Sequence, residues 1–134
     1  MKKNYFYPAI FEPDTEEGGY VISFPDLPDV NTEGDNVADA LSMAKEALGA
    51  YVEMCLDAGD KLPEPSDPGS TAVPEGGFTS LIELDMLQFR MQYRSKAVKK
   101  TLTIPEWLNH MAEARSINFS ATLQTALRAE LGLK

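Results

Sequence analysis

The chain has 134 residues, a formal net charge of −9, 43% hydrophobic residues and one cysteine. That length suits one ordinary domain or two small ones, and that apolar content excludes wholesale disorder. The lone Cys55 excludes an internal disulfide framework and a cysteine-built zinc cluster, no apolar run is long enough to cross a bilayer, and the Met1-Lys2-Lys3-Asn4-Tyr5 start lacks the apolar region of a signal peptide, so a cytoplasmic protein is expected.

Tyr5-Phe6-Tyr7-Pro8-Ala9-Ile10-Phe11 is rich in aromatic and branched side chains and reads as a strand. Pro8 cannot donate to a ladder, so it is expected at an edge or a bulge. Asp14-Thr15-Glu16-Glu17-Gly18-Gly19 has the composition of a hairpin turn, and Tyr20-Val21-Ile22-Ser23-Phe24 is the return strand, closed by Pro25. Pro25 to Gly34 reads as a structured loop or a short extended piece. Val37, Ala40, Leu41, Ala44, Leu48, Tyr51, Val52 and Cys55 then recur at three- and four-residue steps. That spacing predicts a long helix whose apolar stripe lies across a small sheet. Asp35 or Asn36 can cap its first amides, and Gly59 fits the position just past its end. Leu62 to Gly77 carries four prolines and three glycines and reads as a loop. Thr79 to Met86 is a third strand; Leu87 to Tyr93 fits a short helix or a continued extended piece.

Lys99-Lys100-Thr101-Leu102-Thr103-Ile104-Pro105 alternates with period two and predicts a short strand. Pro105 suits the first position of a helix carrying Trp107, Leu108, Met111 and Ala112. Ser116-Ile117-Asn118-Phe119-Ser120 breaks that helix, and Asn118 or Ser120 can cap a second one, which carries Leu123, Ala126, Leu127 and Leu131 and stops at Gly132. Strand, helix, capped turn and helix within about forty residues is the ribbon-helix-helix pattern. One such unit has too little apolar surface to stabilise itself, so a homodimer is expected through this segment. Two copies would pair their strands into a ribbon that fits the DNA major groove. Val98, Leu102 and Ile104 would face the helices, and Lys99, Thr101 and Thr103 the bases. The amides near Asn118, Phe119 and Ser120 would bind a backbone phosphate. The same alternation also describes any half-buried surface strand, so a plain dimerisation tail stays open from these residues alone.

Charge divides the chain at the same place. Residues 1–95 hold six Lys and Arg against eighteen Asp and Glu, net −12. Residues 96–134 hold Lys96, Lys99, Lys100, Arg115, Arg128 and Lys134 against Glu106, Glu113 and Glu130, net +3. An acidic body suits a basic partner, and a basic tail suits DNA. Two domains follow: 1–95, with its loop at about 62–77, and 96–134.

The body resembles the HicB antitoxin family. The residues that carry the resemblance are Gly19-Tyr20-Val21-Ile22-Ser23-Phe24-Pro25-Asp26-Leu27-Pro28, then Thr32-Glu33-Gly34-Asp35, the Ala40-Leu41 to Ala47-Leu48 helix, and Leu62-Pro63-Glu64-Pro65-Ser66. Lys99 to Asn109 matches the ribbon-helix-helix tail of some members. The resemblance implies an α+β fold: a small antiparallel sheet with one long helix (partial RNase H-like), followed by a ribbon-helix-helix dimerisation and DNA-binding domain. It implies an antitoxin that covers a HicA-like toxin, a small basic protein that cleaves messenger RNA, and that represses its own operon at operator DNA as a dimer or higher oligomer. It assigns no cofactor and no toxin-contact residues. The sequence departs from the family after Asp26-Leu27-Pro28, where Asp29-Val30-Asn31 replaces the usual small pair. Glycine takes a positive φ that aspartate adopts only at a cost, so a differently shaped loop is expected.

Two other readings of function stand beside this one. An RNase H-like fold invites a metal-dependent nuclease built on Asp14, Asp26, Glu33, Asp35, Glu83 and Asp85, but Asp14 reads as turn chemistry, Asp26 as loop and Asp35 as a cap. The other is an orphan dimeric transcriptional regulator whose acidic domain binds an unrelated ligand or partner. His110, the only histidine, reads as a surface or interface residue, and Cys55 as a small core residue. No Gly-rich phosphate loop is present. No catalytic residue and no metal ligand is assigned.

Overall fold

Asp14 builds the first hairpin. In the computed structural model, which describes residues 4–133, its carboxylate accepts the Glu16 and Glu17 amides at 3.0 and 3.1 Å. Gly18 and Gly19 follow at φ of 79° and 76°, a pair of left-handed residues that turns the chain back. β1 (Asn4–Pro13) and β2 (Tyr20–Phe24) are thereby held antiparallel, with Phe11 opposite Ile22 and Pro13 opposite Tyr20. The Met1-Lys2-Lys3 start and Lys134, both counted in the charge balance, lie outside the described residues.

The Pro25–Gly34 stretch is more regular than a loop. From Leu27 to Gly34 it is β3, an edge strand laddered antiparallel to β2 with a register shift between Ser23 and Phe24. β4 (Phe78–Asp85) adds antiparallel to the other side of β1 and completes the order β3-β2-β1-β4. β1 is therefore interior, and Pro8 lies inside it. The ladder with β2 begins only at Ile10, so beside Pro8 the paired flank is β4, at Leu81. A residue lacking an N–H sits where one ladder is missing.

α1 (Val37–Ala58) covers one face of this sheet. Asn36 is the cap: its Oδ1 accepts the Asp39 amide at 2.8 Å, and the Asp39 carboxylate accepts the Asp35 amide at 2.8 Å. Gly59 ends the helix at φ 73°, and the Asp60 amide returns to the Cys55 carbonyl at 2.9 Å. Ala40, Ala44, Leu48 and Val52 are buried from the helix, against Tyr5, Tyr7, Ala9, Phe11, Ile22, Phe24, Ile82 and Leu84 of the strands, and Cys55 is buried near the helix end. Each large apolar side chain so buried contributes about 1.5–3 kcal/mol. The first members of the predicted stripe, Val37 and Leu41, stay exposed at its margin.

Between α1 and β4, the loop holds a 3₁₀ turn at Pro68–Ser70. Residues 86–93 resolve as a helix, α2 (Met86–Tyr93), because Asp85 caps it at the Gln88 amide (3.1 Å) and Met86 and Phe89 are buried. Glu53 of α1 holds its far end, accepting from Arg94 Nε at 2.9 Å and Nη2 at 2.7 Å, with Arg90 Nε at 3.3 Å.

Contacts divide the chain into two units, the first ending at Lys96 and the second running from Ala97. The second contains α3 (Glu106–Ala114) and α4 (Phe119–Glu130). Pro105 is the residue before α3 rather than its first helical residue. The expected strand at 99–105 is not formed in the single chain: residues 96–105 carry neither ladder nor helix. A strand needs a second strand to bond with, and this unit contains none.

Candidate functional site

The surface read from the sequence as a DNA contact lies wholly in the second unit. Lys99, Thr101 and Thr103 are exposed on the extended segment before α3. Between the helices, Ser116 takes a left-handed φ of 53°, and Asn118 caps α4 by accepting the Ala121 amide at 3.0 Å. The Thr122 amide bonds the Asn118 carbonyl, which leaves the Phe119 and Ser120 amides unpaired at the helix start. Asn118 and Ser120 also line a shallow concavity with Ala121, Gln124, Thr125 and Arg128. Gln124 and Arg128 were not singled out from the sequence, although Ser120, Gln124 and Arg128 follow one another at four-residue spacing. Lys99, Thr101 and Thr103 do not line this concavity.

This unit has no core of its own. None of its described residues is buried, and Val98, Trp107 and Leu131 are 82, 65 and 71% exposed. Leu102, Ile104, Leu108, Met111, Ile117, Phe119 and Leu127 are exposed as well. Two amphipathic helices with both apolar faces open to water are far from a stable arrangement for a lone unit.

In the first unit, two separated pieces of sequence that carried the family resemblance meet. The Asp26 carboxylate, between β2 and β3, accepts the Ser66 amide at 2.9 Å and the Ser66 hydroxyl, forty positions away. Tyr7 makes a second clasp, donating its hydroxyl to the Pro63 carbonyl at 2.5 Å. Burial first, then the Asp26 and Glu64 carboxylates, raise the Tyr7 phenol above its ordinary 10.0. The Asp29-Val30-Asn31 departure is absorbed without strain. Asp29 lies in extended β3, Val30 is buried, and among the described residues Ser116 is the one non-glycine with a positive φ.

The carboxylates weighed as a nuclease site are dispersed into structural tasks. Asp14 holds the hairpin, Asp26 holds Ser66, and Asp85 caps α2, while Glu33 and Glu83 stand on the two edge strands. Among the described residues, no three His, Cys, Asp or Glu side chains converge in a way that could hold a metal ion. No described helix is long and apolar enough to cross a membrane.

Residues 6–74 match the family described as the HicB-like antitoxin of bacterial toxin–antitoxin systems. Antitoxin HicB 1 of Photorhabdus laumondii is 44% identical over 71 residues, covering 53% of this chain and 45% of its own length. The chain thus matches about half the length of the Photorhabdus relatives. Antitoxin HicB of Escherichia coli K12 is 28% identical over 137 residues, 95% of this chain and 96% of its own. A chain from a toxin–antitoxin complex of Streptococcus pneumoniae superposes with a TM-score of 0.61 at 30% identity, over 95% of this chain and 99% of that one. A family match over half the sequence and a structural match over nearly all of it lead to one conclusion: the chain belongs to the HicB-like antitoxin family.

Proposed function

We propose that this protein is the antitoxin and autorepressor of a type II toxin–antitoxin pair. Its N-terminal unit, a partial RNase H-like domain, binds and occludes a HicA-like toxin that cleaves messenger RNA. Its C-terminal unit is a ribbon-helix-helix that dimerises and holds operator DNA. The protein acts by stoichiometric binding, and no step is catalytic. The antitoxin half is supported by family membership and by relatives that carry that name. The three-stranded meander with α1 across one face supports the RNase H-like reading.

The observation that carries the repressor half is the coreless second unit. Pairing residues 98–104 with the same segment of a second copy would satisfy the open backbone and turn Val98, Leu102 and Ile104 towards the helices of the dimer. The opposite parity then leaves Lys99, Thr101 and Thr103 on the outer surface of a two-stranded ribbon, where lysine donates to guanine and threonine touches a base edge or a thymine methyl. The unpaired amides of Phe119 and Ser120, with Asn118 beside them and Arg128 two turns along α4, suit a backbone phosphate. The net +3 of residues 96–134 favours that contact, and the net −12 of the body favours a basic partner.

Co-expression with the product of the adjacent reading frame tests the antitoxin half. The expected result is growth arrest by that product alone, and rescue together with a stable complex when this chain is present. For the repressor half, Lys99→Ala or Thr101→Ala is expected to weaken operator binding by about 1–3 kcal/mol with the dimer intact. Lys99→Ala should also reduce the salt dependence of binding. Unchanged operator affinity in both variants removes the ribbon from the DNA contact.

A further inference from the structure

We propose that α2 is a latch that sets the length of free chain leading to the DNA-binding unit, with Glu53 as its positioning residue. The proposal rests on the ribbon reading, in which residues 98–104 are committed to a strand. Gly49 leaves a notch in the surface of α1 that receives the Phe89 ring, and a Cβ there would come 2.2 Å from that ring. One turn further along α1 stands Glu53, its side chain 13% exposed, accepting from Arg94 Nε at 2.9 Å and Nη2 at 2.7 Å. Arg90 Nε lies 3.3 Å from the same carboxylate, and its Nη2 lies 3.6 Å from Asp57. The Arg94 guanidinium closes over Phe89, 5.6 Å from the ring centroid. Ser95 then donates its hydroxyl to the Met91 carbonyl.

A helix of eight residues does not persist in water on its own, so α2 exists because these contacts hold it. An isolated exposed ion pair contributes little, but one shielded carboxylate shared by two arginines is a network. The consequence is a length. With α2 docked, the free chain before the ribbon strand is residues 95–97, which reaches about 10 Å at most. With α2 released, residues 86–97 reach about 40 Å.

Charge gives that difference a function. Residues 1–95 carry net −12, so the body repels the phosphates that the basic tail attracts. Screening at physiological salt acts over about 8 Å. A docked α2 keeps the tether close to one screening length, and the body then opposes operator binding. Release lets that repulsion relax. The latch thereby tempers the affinity of the tail for DNA.

The test compares full-length wild type with Glu53→Gln, Phe89→Ala and a flexible Gly-Ser insert, as long as α2, placed after Lys96. Glu17→Gln, at an exposed position on the first hairpin, controls for the lost charge. Glu53→Gln and Phe89→Ala are expected to speed hydrogen exchange of the α2 amides about tenfold or more, with the α1 core amides unchanged. Both variants and the insert should enlarge the radius of gyration in small-angle scattering. All three should also tighten operator binding about two- to fivefold at low salt, a difference that vanishes at high salt. Glu17→Gln should leave the radius unchanged and shift affinity less than Glu53→Gln. Should Phe89→Ala fail to fold, Glu53→Gln carries the test. Unchanged exchange in Glu53→Gln overturns the latch. Faster exchange with radius and operator affinity both unchanged overturns its role in setting the tether. If wild type binds no operator, the repressor reading falls, while exchange and radius still decide the latch.

Discussion

Tyr7 ties the central strand to the loop that follows α1. Its ring is 2% exposed, and its hydroxyl reaches the Pro63 carbonyl 56 positions away. A folded-state pKa raised above the unfolded value means that the native chain holds this proton more tightly. The associated stability is complete below pH 10 and is lost as pH rises through the folded value. Tyr51, raised chiefly by its hydrogen bond with Cys55, acts in the same direction. Denaturant midpoints are therefore expected to fall as pH climbs past 10, and less steeply in Tyr7→Phe. At neutral pH that variant should lose about 0.5–1.5 kcal/mol. Gly49 makes an opposite point about side chains. It lies mid-helix, where alanine would ordinarily gain up to about 1 kcal/mol of helix propensity. A Cβ there would come 2.2 Å from the Phe89 ring, so Gly49→Ala is expected to destabilise by about 1–3 kcal/mol. Chemical denaturation checks the sign, and pairing Gly49→Ala with Phe89→Leu should recover part of the loss.

Elements differ in how far local sequence dictates them. The three- and four-residue spacing that predicts α1 is borne out from Ala40 to Cys55, because a stripe of small and branched residues can settle only against an apolar sheet. Asn118 is the same kind of local signal: a side chain that can accept an amide where the helical pattern begins. Asn118→Ala is expected to cost about 0.5–2 kcal/mol, read as a lower thermal midpoint of the C-terminal unit. β3 was less legible. Pro28, Asp29 and Asn31 are poor strand formers, and the ladder with β2 overrides their preference. α2 has almost no amphipathic signal in eight residues, and is held by the Asp85 cap and by the Glu53 pairs with Arg90 and Arg94.

At the scale of the whole molecule, one unit is finished and the other is not. The N-terminal unit buries a continuous core between α1 and its sheet, whereas none of the described residues of the C-terminal unit is buried. Ile104→Asp or Leu127→Asp is expected to convert the proposed dimer into a monomer in sedimentation, since each would place a charge in the apolar surface through which two copies of this unit would pair. Operator binding should fall with it, while the N-terminal unit keeps its partner. Loss of both functions in either variant would mean that the two units do not act independently.

By itself the sequence determined the features set by neighbours along the chain: the Asp14 hairpin, most of the α1 stripe and its Gly59 end, the Pro-rich loop and the division of charge, and it narrowed the starts of α1 and α4 to two candidate caps each. Each depends on contacts within a few residues or on composition, and both can be read without knowing where the chain goes next. Only the tertiary structure decided that Leu27–Gly34 is an edge strand, that β4 pairs with β1, and that Asp26 holds Ser66. Those outcomes depend on hydrogen-bond ladders and burial between segments far apart in sequence, where local pattern carries no register. Residues 96–105 extend the same reason beyond one chain if, as proposed, the strand that pairs with them comes from another copy.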